Sequence, residues 1–155
     1  MAKVGRASRN SSLMRVETLG NGTSAGTDKT ITSAEAGELY LINHNHASAL
    51  TVTLPAAKEG AYFKFLLIGS MTDASASLVV ATAGERLIGS VFTTETDGTD
   101  AATKFDDGTD DTQITLQDDI NRGSWLEVIS DGTSWYMSGH VDVPSGGSAS
   151  NVAFG

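Results

Sequence analysis

The sequence predicts an all-β fold, an antiparallel β-sandwich or β-barrel of about eight to ten short strands, on three observations. Apolar residues recur with a period of two rather than 3.6, in runs of about four to eight residues. Gly, Pro, Asn or Asp bounds each run, as turns between strands require. Gly, Ser, Thr and Ala fill nearly half of the 155 positions while aromatics make up 6%, which disfavours a helical bundle and leaves a thin core of Val, Ile and Leu.

In chain order, residues 1–28 come first. Ser11, Ser12, Gly20, Gly22, Ser24 and Gly26 punctuate scattered apolar residues there, too little hydrophobic surface to offset the entropy of ordering. An extended N-terminal arm is expected, with Leu13-Met14-Arg15-Val16 as the patch that anchors it wherever a partner offers a groove or a free strand edge. The folded domain is expected over 29–143. Its one helical turn lies near Thr32–Ala36, where Ser33 is placed to cap.

Strands follow at Glu38–Ile42, Leu50–Leu54, Ala61–Ile68 and Ser77–Val80. Within Leu50–Leu54, Leu50, Val52 and Leu54 share one face and Thr51 and Thr53 the other, so one side is core and the other wet or interfacial. Later strands are expected at Gln113–Leu116, Trp125–Ile129 and Trp135–Met137, the last two joined through Asp131-Gly132, a hairpin signal. Trp125 and Trp135 fall on adjacent strands of that hairpin. They are expected either as a packed aromatic pair or as a glycan-stacking or subunit-contact surface. Residues 144–155, opening Pro144-Ser145-Gly146-Gly147-Ser148, read as a flexible C-terminal tail.

The net charge of −9 is unevenly spread, because residues 1–15 hold Lys3, Arg6, Arg9 and Arg15 and no acid. An acidic body with a basic arm suits an acidic protein surface and disfavours nucleic acid as a partner. No run approaches the ~18 apolar residues of a membrane span. The first residues also lack the apolar core of a signal peptide, so a soluble chain without a secretion signal is expected. With no Cys there is no disulfide and no thiolate zinc site.

Two motifs bear on metals. His44 and His46 stand at i and i+2, which on a strand directs both rings to one side. Symmetry-related copies around an axis would then complete a transition-metal shell, and the alternative is a solvated polar turn. Between Glu95 and Asp119 nine acids surround the single base Lys104, and Asp97-Gly98-Thr99-Asp100 and Asp107-Gly108-Thr109-Asp110 repeat a pattern suited either to Ca2+ or to solvated turns. No Gly-x-Ser-x-Gly elbow, His-Glu-x-x-His pair, phosphate loop or Cys nucleophile occurs, so no enzyme is expected. Gly20-Asn21-Gly22 with Gly26 neither follows an expected strand nor opens a helix, and reads as linker rather than a dinucleotide loop.

Thr51-Val52-Thr53-Leu54-Pro55-Ala56-Ala57, then Gly60-Ala61-Tyr62-Phe63-Lys64-Phe65, then Asp131-Gly132-Thr133-Ser134-Trp135-Tyr136, together resemble a pattern of small β-rich phage virion proteins. The likeness is to tailed-phage capsid decoration, or cement, proteins, and also to tail-fibre modules. In physical terms Leu54-Pro55 is a strand-ending, hairpin-forming device, since Pro cannot donate to a ladder. The resemblance implies a homotrimer on the outer capsid surface of a virion, made in the host cytoplasm, with the major capsid protein as partner. It makes Lys3, Arg6, Arg9, Leu13, Met14, Arg15 and Val16 the capsid-binding arm. No cofactor is implied beyond the Ca2+ or transition metal already considered.

Overall fold

The computed structural model describes residues 15–73, 76–80, 84–98, 101–106, 108–148 and 151–155. Among them it is nearly all β, with two sheets stacked as a sandwich. The strands are β1 Val16–Gly22, β2 Lys29–Thr30, β3 Leu39–His44, β4 Leu50–Thr53, β5 Tyr62–Leu67 and β6 Ala76–Val79. They continue with β7 Leu87–Glu95, β8 Ala101–Asp106, β9 Gln113–Leu116, β10 Trp125–Ser130, β11 Trp135–Val143 and β12 Val152–Phe154. A seven-stranded sheet runs β1-β3-β5-β10-β11-β7-β8 and a five-stranded sheet runs β12-β9-β6-β4-β2. No helix among the described residues is long and apolar enough to cross a membrane.

The expected all-β sandwich is the observed class, but its first half is not a set of hairpins. From β1 to β6 the chain alternates between the sheets, so β1, β3 and β5 pair in parallel in one, and β2, β4 and β6 in parallel in the other. Each sequential pair faces across the core instead of sharing a ladder. Leu54-Pro55 is therefore a sheet-to-sheet crossover rather than a hairpin device: Leu54 N–H still donates to Val79 O at 3.0 Å, and the proline after it ends the pairing. Antiparallel pairing enters with β8 on β7, β10 between β5 and β11, β9 on β6, and β12 on β9.

The core lies between the sheets and follows the period of two. Tyr40 and Ile42 of β3, Phe63, Phe65 and Leu67 of β5, Leu126 and Val128 of β10, and Trp135, Met137, Val141 and Val143 of β11 point inward from the larger sheet. Leu50, Val52, Leu78, Ile114, Leu116 and Val152 meet them from the smaller one. Tyr40 stacks on Phe65 at 5.5 Å and Trp135 tilts against Phe63 at 5.7 Å, so the few aromatics concentrate where the core is thickest.

Three local expectations need correction. Residues 16–22 were expected in the arm but form β1, because Leu19 inserts into the core and the strand pairs with β3 over Val16–Leu39 to Leu19–Ile42. Val152–Phe154, expected in a flexible tail, forms β12 by burying Val152 and pairing with Leu116, Thr115 and Ile114. The turn near residue 33 is a 3-10 turn at Ser33–Glu35 whose capping position is Thr32, not Ser33. Glu35 reaches back to accept from both the backbone N–H and the hydroxyl of Thr32, at 2.6 and 2.7 Å.

Candidate interaction surface

A sandwich of two sheets has two outer faces, and here they differ chemically. The outer face of the five-stranded sheet presents Thr51, Thr53, Ser77, Gln113 and Thr115, polar groups suited to water, with only Val79 and Ala153 apolar among them. On the seven-stranded sheet the ladder instead aligns one residue per strand into the row Thr18, Leu41, Leu66, Trp125, His140, Phe92, Thr103. A parallel row holds Tyr62, Ile129, Tyr136 and Ile88. Phe92 is 46% exposed and Ile129 50%, and His140 stacks on Phe92 with ring centroids 5.8 Å apart. This is a broad apolar and aromatic face that no further strand or helix among the described residues covers.

Charges on that face are neutralised locally. Lys64 Nζ lies 4.7 Å over the Trp125 ring and 3.8 Å from the Glu127 carboxylate. Glu127 also accepts from the hydroxyls of Tyr62 at 3.0 Å and Ser138 at 3.1 Å. Burial and the bond to Glu127 hold the Tyr62 phenol above its usual range. At one end of the face Asp142 accepts from Thr94 Oγ1 at 3.1 Å, Thr96 Oγ1 at 3.0 Å and Asn121 Nδ2 at 2.7 Å. Burial opposes its charge, but the bonds from Asn121, Thr96 and Thr94 outweigh burial and keep its carboxyl below the usual aspartate range.

His140 Nε2 lies 2.8 Å from the Thr94 hydroxyl. Thr94 also bonds Asp142, so the order is imidazole, hydroxyl, carboxylate. A hydroxyl nucleophile needs the imidazole in the middle as base, so the trio fixes strand ends rather than activating an oxygen.

The two tryptophans do not meet. Trp125 stands opposite His140, whereas Trp135 stands opposite Ser130 at the other end of the hairpin and on the opposite face. Trp135 is core and Trp125 is surface, which corrects the expectation of an adjacent pair.

At the edge where β1 enters, Arg15 Nε pairs with Glu38 at 2.8 Å, and Lys29 Nζ bridges Glu17 at 2.8 Å and Glu35 at 2.6 Å. Glu17, Glu35 and Glu38 are the carboxylates, among the described residues, that lie close enough to share one ion, and Lys29 and Arg15 already occupy that place. Burial disfavours the Glu35 charge, yet the bonds from Lys29 and Thr32 prevail and lower its pKa to about 2. The same pairing holds Lys29 above its usual range against the opposing effect of burial.

The remaining expected site residues are dispersed. Val16 opens β1 and is exposed, while Lys3, Arg6, Arg9, Leu13 and Met14 lie outside the described residues. His44 ends β3 pointing into the core and His46 lies beyond the strand, with ring centroids 6.4 Å apart. Ser48 engages both rings, its carbonyl at 2.8 Å from His44 Nε2 and its N–H donating to His46 Nδ1 at 3.0 Å. Of the two Asp-Gly-Thr-Asp repeats, Asp97 precedes β8 and Asp110 follows it. Asp97 accepts from Ser145 Oγ at 2.8 Å, Asp110 is exposed, and Asp100 and Asp107 lie outside the described residues.

Phe92, His140, Asp142, Leu41 and Leu66 were not singled out in the sequence. The alternation Tyr136, Ser138, His140, Asp142 against Met137, Val141, Val143 would have shown the longer β11 and its outward row. A scan against protein-family models, a search of curated proteins and a search of solved structures each returned no match.

Proposed function

We propose that this chain is a non-enzymatic structural protein of a tailed-phage virion, which binds the outer capsid surface as a decoration protein and stabilises the shell, as a homotrimer. The observation that carries the proposal is the asymmetry of the sandwich: one outer face is hydroxyl-rich, the other apolar, aromatic and locally neutralised. A small acidic domain with such a face suits a flat protein partner, where apolar burial drives association and neutralised charges avoid a desolvation penalty. The basic residues Lys3 and Arg6, which precede the β1 edge of the same sheet in the chain, supply a second, electrostatic contact to the major capsid protein. A protein that binds only the assembled shell raises the cost of opening it by mass action.

A second reading, a tail-fibre or baseplate module that binds host glycan, draws on the Trp125–His140–Phe92 row, because sugar rings stack on aromatic faces. The copy number per purified virion, measured by quantitative mass spectrometry against the major capsid protein, separates them. A ratio near one per capsid subunit is the expected result. A few copies per particle support the fibre reading, and absence from the particle overturns both.

A further inference from the structure

The seven-stranded sheet ends at β1 on one side and β8 on the other. β8 pairs with β7 from Gly89–Asp106 to Thr94–Ala101, and its far edge carries no strand of the described chain. Open edges are templates for another strand. This one is also apolar: Phe105 is 67% exposed, and a cavity of about 360 Å3 beside it is lined by Lys104, Phe105, Asp111, Val152, Ala153 and Phe154.

The charge around that edge selects its partner. Among the described residues Asp97 precedes β8, Asp110 and Asp111 follow it, and in the sequence Lys104 is the single base between residues 95 and 119. Two β8 edges brought together would bring these acids together, so self-pairing is opposed. A basic extended segment with an apolar anchor is favoured. The chain contains one: residues 1–14 hold Lys3, Arg6 and Arg9, no acid, and the apolar doublet Leu13-Met14.

That segment joins the fold at Arg15, whose carbonyl accepts from Leu39 N–H at 2.8 Å, at the opposite end of the sheet. Six strand spacings, roughly 29 Å, separate β1 from β8. Leu13 lies two residues from Arg15, about 7 Å of extended chain, and does not reach the β8 edge of its own molecule. A second copy can present that edge beside β1.

We propose that the N-terminal segment of one copy adds to the free edge of β8 of the next, with Leu13 and Met14 in the cavity beside Phe105. Arg9 then approaches the acidic β7–β8 turn, and the residues before it extend past the strand toward the shell. The contact joins two different surfaces, so it is head-to-tail and closes into a ring when the rotation allows. This deepens the trimer of the proposed function without depending on the capsid.

The test uses the full-length protein alone, with light scattering at micromolar concentration. Wild type is expected as a closed oligomer of the 16.1 kDa chain. Phe105→Asp, and separately the double substitution Leu13→Asp with Met14→Asp, are expected to weaken association at least about tenfold. Phe105 is exposed in the single chain, so its variant is expected to keep the circular-dichroism spectrum and a cooperative melt, with the melting temperature lowered only by the lost association. Because the chain has no cysteine, Leu13→Cys protein mixed with Phe105→Cys protein is expected to form a heterodisulfide on oxidation. A monomeric wild type, an oligomer that survives both sets of substitutions, or failure of the cysteine pair to cross-link would each overturn the proposal. The copy number of the wild-type protein per virion is a separate measurement that does not use these variants, so failure of the ring and failure of the virion reading are distinguished.

Discussion

Trp125 and Trp135 lie on adjacent strands of one hairpin yet occupy opposite faces of the sheet, because Trp125 is registered with His140 and Trp135 with Ser130. Trp135 is fully buried against Phe63, whereas Trp125 supports Lys64 on the outer face. Trp135→Ala is therefore expected to cost about 3–5 kcal/mol, and Trp125→Ala under about 1 kcal/mol. Urea unfolding of both variants checks this, and equal losses would refute the division into core and surface.

The hairpin also shows where the sequence stopped being legible. The turn at Asp131-Gly132 sets the register, and counting outward from it already places Trp125 beyond Trp135. Strands with large apolar residues at alternate positions, such as Tyr62–Leu67, were readable because burial dictates those side chains. β7, β8 and β12 were missed because Thr, Gly and Ala dilute the alternation, and their pairing rests on neighbours distant in sequence. Parallel pairing of β1, β3 and β5 has no local signature, since crossover between sheets depends on which faces must meet. The outer aromatic face was hidden for the same reason: its row draws one residue from each of seven strands.

That face should be separable from stability. Phe92→Lys places a charge on the exposed row and removes only the surface stack on His140, so its melting temperature should fall by no more than a few degrees. Retention on purified capsids should fall at least about tenfold. Co-sedimentation over a salt series is the measurement, and undiminished retention would remove the apolar face as the docking surface.

Gly89 is a backbone requirement of β7. Its φ of +139° is one that side chains rarely adopt, and an added Cβ would lie 2.0 Å from the Met137 carbonyl oxygen on the paired strand. That oxygen is held in the ladder and cannot swing aside. Gly89→Ala is expected to destabilise by about 3 kcal/mol or more. The glycine permits a close approach of β7, the strand next to the β8 edge, to β11, so a chemical denaturation midpoint close to wild type would show that the approach is not needed.

Acid should weaken the β1 edge before it reaches the core. The Glu35 carboxyl is lowered from 4.5 to about 2 by Lys29 and Thr32, and a depressed folded-state pKa contributes stability that is complete above the unfolded value. That contribution is lost as pH falls from about 4.5 through about 2. Asp142, also depressed, adds to the loss over the acid end of the same window. Lys29 is raised, so its contribution holds below its ordinary 10.5 and disappears as pH rises through its higher folded value. Glu35→Gln removes one partner of a half-buried pair and is expected to cost about 2 kcal/mol at neutral pH. It should flatten the acid limb and bring the alkaline loss to lower pH, because Lys29 then keeps only Glu17. Melting temperatures of wild type and variant from pH 2 to 11 decide the matter, and parallel curves at both ends would show that the Lys29–Glu35 pair does not stabilise the fold.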